Sequence, residues 1–183
     1  DGLGRELFFD DRLVVPDQSL RLVDGALAPW RKSKSPYIAQ TIEGLAKHYG
    51  FDKKARWLDL PEKAKEVLLY GSGEEEIAFR YDEGGRVYQV TRPFEGVIPN
   101  MERRYRETDS NWVREEFEQY QNNRPCGTCH GYRLKPEALA VKIGRAGSAG
   151  GLMHVGQVVE MSIREAHAWV ATVPEALTKQ KNE

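Results

Sequence analysis

Cysteine is nearly absent: the 183 residues contain two, separated by only two positions. A secreted scaffold stapled by disulfides needs a dispersed, even set, so that class is excluded, and a close thiol pair fits a reducing compartment. No run of about 18 apolar residues occurs, and no basic-then-apolar leader precedes a small-residue cleavage site. The expectation is a cytoplasmic chain without a membrane partner. Excess charge of either sign is missing too, with 27 Lys and Arg against 28 Asp and Glu for a net charge of −1. Any contact with a polyanion must therefore come from a local patch and not from the field of the whole chain. At this length there is room for one ordinary domain, or a small domain plus a piece of another.

The stretch that is present and informative runs from Arg124 to Gly144, RPCGTCHGYRLKPEALAVKIG, and holds both cysteines as Cys126-Gly127-Thr128-Cys129. Two thiolates two residues apart, with small residues between them and Gly131 just beyond, form a knuckle suited to a soft metal. Tetrahedral zinc needs four ligands. The histidines His48, His130, His154 and His167 sit without paired-ligand spacing, so the sequence displays half a zinc site, with Cys126 and Cys129 as its ligands. Two other readings stay open at this point. Cys126 to His130 also spells C-x-x-C-H, the attachment signature of c-type haem with His130 as an axial ligand, and a C-x-x-C pair can be an unliganded redox couple.

Five blocks carry a resemblance. They are Leu13–Leu20 (LVVPDQSL), His48–Asp52 (HYGFD), Leu69–Gly73 (LYGSG), Arg92–Glu116 (RPFEGVIPNMERRYRETDSNWVREE) and the Arg124–Gly144 stretch itself. In this order they resemble the UvrA family, the damage-recognition ATPases of the bacterial excinuclease in nucleotide excision repair. The resemblance implies an internal piece: residues 1–12 leaving a zinc module, 13–123 forming an insertion domain, and 124–183 supplying the second half of the zinc knuckle and the start of the signature region. It places a first C-x-x-C directly before the Gly2-Leu3-Gly4 turn, so that Asp1-Gly2 corresponds to His130-Gly131. It implies zinc in the intact protein, with ATP and magnesium bound elsewhere. Its partners by resemblance are damaged double-stranded DNA, UvrB and a second copy of the parent protein, in a cytoplasmic repair pathway tied to the SOS response. The Walker A lysine loop, the signature stretch and the Walker B acid are not found in these residues, so no catalytic residue is assigned and no enzyme activity is expected of this piece.

The expected fold class is α+β: a small helical domain with an antiparallel hairpin, then the knuckle, then a strand and helix. Leu7–Asp10 and Leu13–Val15 read as an entry strand or extended arm, and one helical turn fits before Gly25. Ser35-Pro36 opens a helix that Gly50 closes, and Leu60-Pro61 opens another that stops at Gly71. Alternation over Ile77–Tyr81 and Val87–Thr91 about Asp82–Gly85 predicts a hairpin. Two short helices follow, one from Pro99 and one carrying Trp112, Val113 and Phe117, ending near Asn122-Asn123. Ala138–Ile143 reads as a strand, 144–151 as a small-residue flexible segment, and Ser162–Glu165 as a capping box whose helix packs Ile163, Ala166, His167 and Val170. The tail from Pro174 is expected to fray.

Three basic groups are candidates for phosphate contact. They are Arg31, Lys32 and Lys34 beside Trp30; Lys53, Lys54 and Arg56 beside Trp57; and Arg103, Arg104 and Arg106 around Tyr105. Guanidinium forks match phosphate oxygens, and an exposed indole can stack on a base. The competing expectation is that each Trp anchors a core and the arginines pair with Glu102, Glu107 and Asp109. A protein-docking or purely structural insertion, acting through Trp30, Trp57 or the hairpin edge, is the other functional reading.

Overall fold

The computed structural model describes residues 4–33, 35–144 and 151–176. Two compact units result, one of residues 7–122 and one of residues 1–6 with 123–183. The elements are β1 (Arg5–Phe9), α1 (Asp11–Val14), α2 (Ala28–Arg31), α3 (Pro36–Tyr49), α4 (Glu62–Tyr70), β2 (Glu76–Glu83), β3 (Arg86–Pro93), α5 (Val97–Glu107), α6 (Asn111–Glu118), β4 (Gln121–Pro125), α7 (Pro136–Ala140), α8 (Val155–Glu160), α9 (Ile163–Val170) and α10 (Val173–Ala176). β1 pairs with β4 and β2 with β3, giving two separate two-stranded sheets in an α+β fold.

In the 7–122 unit, α3 forms where the sequence signals put it. The Ser35 hydroxyl accepts from the Tyr37 amide, Pro36 takes the first helical position, and Gly50 ends the helix at φ +69°. Its buried face carries Thr41, Ile42, Leu45 and Ala46. Against it lies the hairpin, whose two-residue turn Gly84-Gly85 has positive φ at both positions, the requirement of a turn that follows the twist of its strands. Strand β2 buries Ile77, Phe79 and Tyr81 and exposes the residues between them. Gly44 is where helix and hairpin approach most closely: a Cβ built there would stand 2.6 Å from Cδ1 of Phe79.

Two blocks far apart in sequence meet at the ends of α4 and α5. Gly71 (φ +94°) and Gly96 (φ +86°) lie backbone to backbone, and a Cβ on Gly96 would stand 2.4 Å from the Gly71 nitrogen. Around them a single core gathers Val14, Leu27, Leu45, Leu68, Phe79, Ile98 and Met101. Asp10 is buried at 2% exposure as the cap of α1. Its carboxylate accepts from the Arg12 amide (3.0 Å), from Arg12 Nε (3.1 Å) and Nη2 (2.9 Å), and from Asn122 Nδ2 (3.3 Å). The Arg12 side chain, then its backbone amide and Asn122, hold this carboxyl well below the usual range although burial opposes them.

Several expectations are corrected. Leu13–Val15 is not extended, because Asp10 caps a helical turn there. The segment around Asn122 is not a helix end but strand β4, whose ladder partner, β1, is more than a hundred residues away. Ala138–Ile143 is not a strand: Pro136 starts α7 after an extended Lys135, and only Ile143 pairs, with Met153. The capping box at Ser162 is present. On its helix, however, Trp169 is buried, whereas Ile163 is 91% exposed and His167 and Val170 are exposed as well. Residues 145–150 of the small-residue stretch, most of the tail, Lys34 and Asp1–Leu3 lie outside the described residues, and so do the expectations made for them.

Candidate functional site

The thiol knuckle is built in the unit of 1–6 with 123–183. The Cys126 amide donates to the Gly4 carbonyl (2.9 Å), and the chain then turns so that the His130 amide donates to the Cys126 carbonyl (2.7 Å) and the Tyr132 amide to the Cys129 carbonyl (2.8 Å). His130, Gly131 and Arg133 all have positive φ, at +51°, +93° and +61°. Glycine at 4 is required, since a Cβ there would stand 2.5 Å from the Gly131 carbonyl oxygen. An ion pair of Arg124 with Glu6 (2.7 Å) closes the base of the turn.

The two cysteines are not bridged to each other, and both are half-buried. The backbone N–H groups of Cys129 and Thr128 face the Cys126 sulfur and draw its thiol below the ordinary range. Such a turn, with amides directed at a sulfur, suits a metal-bound thiolate, and the donor set fits zinc as two of its four ligands. The histidines do not complete it. His154 caps α8, accepting the Gln157 amide on Nδ1 (3.2 Å), and His48 is paired with Glu75 (2.8 Å). Among the described residues no group of three or more His, Cys, Asp or Glu could hold a metal ion.

The basic candidates divide by partner. Arg103 grips Glu95 with Nε and Nη2 (2.7 and 3.1 Å) and Glu107 with Nη1 (3.0 Å). Lys53 pairs with Glu43 (3.0 Å) and Arg56 with Asp59 (2.7 Å), while Arg31 donates from Nε to the Gly25 carbonyl (3.0 Å). Lys32, Lys54, Arg104 and Arg106 are exposed and make no ion pair among the described residues, although the Arg104 guanidinium sits 5.1 Å from the centre of the Phe117 ring. Trp57 is a core residue at 4% exposure, which removes it as a stacking or docking group, and Trp30 is half-buried.

The folded 7–122 unit brings Trp30 of the first basic group and Arg103 and Arg104 of the third around one cleft of about 470 Å³, with Tyr37, Tyr81 and Arg92. Sequence reasoning missed Arg92 and Tyr37. A signal existed: Arg92 follows Tyr88 and Val90 at period two and faces Ile77 in the register, so a cation falls on the apolar side of the strand.

Residues 10–119 match the family model described as the UvrA DNA-binding domain. Along its whole length the chain is 52% identical to UvrABC system protein A of Bradyrhizobium diazoefficiens and 51% identical to that of Brucella abortus, and it spans 18% of the length of each. UvrA2 from Deinococcus radiodurans, in its crystal structure, shares the fold with a TM-score of 0.60 at 18% identity, over 98% of this chain and 22% of that one. With the family model matched over more than half of its residues, the chain belongs to the UvrA DNA-binding domain family.

Proposed function

We propose that this chain is the DNA-contacting part of a nucleotide excision repair damage-recognition protein, with residues 13–123 acting as an arm on duplex DNA. The observation that carries this reading is the set of exposed cations without acidic partners among the described residues, Lys32, Lys54, Arg104 and Arg106, within a segment of the DNA-binding domain family. Phosphate contacts of this kind supply affinity without sequence preference, as a protein that surveys DNA for distortion requires. Arg103, spent on Glu95 and Glu107, positions α5 and does not reach for phosphate.

Zinc belongs to the other unit in this reading. Cys126 and Cys129 would hold it together with two ligands from the first C-x-x-C that the resemblance puts directly before the Gly2-Leu3-Gly4 turn. The metal's contribution is structural, fixing the base of the arm more firmly than a small side-chain contact would. Residues 124–183 lead on into the signature region of the parent protein. Val159 (78% exposed), Ile163 and Val141 (66%) fit burial against further polypeptide. In the full-length protein, ATP and magnesium binding, pairing with a second copy and loading of UvrB lie elsewhere. No helix among the described residues is long and apolar enough to cross a membrane, and the proposed setting is the cytoplasm.

The test is a titration of the chain with lesion-containing duplex at two salt concentrations. Association that weakens steeply with salt is expected. Failure to associate at low salt would leave the protein-docking reading of the insertion in its place.

A further inference from the structure

The cleft in the 7–122 unit has a chemistry that duplex phosphate contact does not use. Its wall is aromatic: Tyr37 stacks on the buried Tyr81 at 4.7 Å and 10°, Tyr81 lies 6.1 Å from Phe79, and Trp30 meets Phe94 edge-on. Tyr81 is 2% exposed, whereas Tyr37 is 43% exposed and so offers solvent a ring already held flat from beneath. Arg92 donates from Nη2 to the Tyr37 hydroxyl, a neutral partner that leaves its charge uncompensated at the edge of that ring. Of the three guanidinium groups in the lining, Arg103 is held by Glu95 and Glu107, while Arg92 and Arg104 make no ion pair among the described residues. The volume of about 470 Å³ is in the range that small-molecule sites occupy.

A flat apolar surface with a cation at its rim selects a flat, anionic ligand. We propose that the cleft takes one unstacked nucleotide from a distorted strand, its base against Tyr37 and Trp30 and its phosphate against Arg92. This rests on the DNA-contact reading above and adds a reason for the arm to prefer distorted DNA. A base already extruded by damage costs less to place there than one that must first leave the helix. Base–aromatic stacking also tolerates any base, since every base has a π-face.

The experiment compares a duplex carrying a single-nucleotide bulge of 2-aminopurine with the fully paired duplex, by fluorescence anisotropy and by 2-aminopurine emission. The unsubstituted chain is expected to bind the bulged duplex about tenfold more tightly, with quenching of the emission, given the usual size of base–aromatic stacking. Tyr37→Ala abolishes the preference and the quenching while paired-duplex affinity stays unchanged. Tyr37→Phe, which preserves the stack on Tyr81, retains both, and Arg92→Gln lowers the preference severalfold with quenching retained. Equal affinity for the two duplexes, or a preference that survives Tyr37→Ala, overturns the nucleotide cleft and leaves DNA contact standing. No affinity for either duplex overturns the DNA reading and the cleft with it.

Discussion

Replacing Asp10 tests how the 7–122 unit is held. Its carboxylate is buried and accepts from Arg12 and Asn122 while capping α1. Asp10→Ala removes a helix cap, at about 1 kcal/mol, and charge-assisted hydrogen bonds, at about 1.5–3 kcal/mol. The Arg12 side chain is 78% exposed and regains water when its partner goes. The total is therefore expected at about 2.5–4 kcal/mol and not at the larger cost of orphaning a buried charge. Asp10→Asn keeps an acceptor for the cap and should cost about 1–2 kcal/mol. Urea unfolding followed by tryptophan fluorescence, to which the buried Trp57 contributes, provides the assay.

The acid limb separates charge from shape. Because the Asp10 carboxyl is held below its ordinary value in the folded state, the unfolded chain binds more protons, and stability rises with pH. This contribution is fully present above the unfolded carboxylate range, near pH 4, and drains away as pH falls toward the lower folded value. Asp10→Asn should flatten that limb. A loss under about 0.5 kcal/mol for Asp10→Ala at pH 7, the size of an ordinary surface change, or an unchanged acid slope in Asp10→Asn, would refute the reasoning.

Three further outcomes follow from the packing and the knuckle. Gly96→Ala sets a Cβ 2.4 Å from the Gly71 nitrogen at φ +86°, where backbone cannot give way, and should cost about 3 kcal/mol or more in the same unfolding assay. Gly44→Ala gains about 1 kcal/mol of helix propensity but overpacks Phe79 by about 1–3 kcal/mol. Net destabilisation is expected, and a raised midpoint would show that the Phe79 ring can move. After chelation, Cys126 should be alkylated by iodoacetamide at pH 7 faster than a cysteine in an unstructured peptide, because its thiolate fraction gains more than its nucleophilicity loses. Equal rates would mean that the amides do not face its sulfur.

The readable elements were those whose cause is local. Ser35-Pro36, Gly50, Gly84-Gly85 and Ser162–Glu165 act within one turn of chain, and their caps and turns stand where the sequence puts them. The α+β class was legible for the same reason. Strand β4 was not, since QNNRP has no strand pattern and owes its conformation to β1, more than a hundred residues away in sequence. Helix α7 was misread because a short apolar run fits either period, and Pro136 decided it. Of the site, the thiol pair and the basic groups were visible as residues. What the sequence hid was pairing: Arg103 is occupied by Glu95, eight residues away, while its neighbour Arg104 makes no ion pair among the described residues. The cleft joining Trp30 to Arg92 exists only once the hairpin packs on α3.

The salt dependence of duplex binding by the Arg104→Ala, Arg106→Ala double variant tests most directly whether the arm holds DNA through its exposed cations. Removing two guanidinium–phosphate pairs should make the slope of log K against log salt shallower by about 1.8, with Arg103→Ala leaving the slope as it was. A slope unchanged in the double variant would contradict the account.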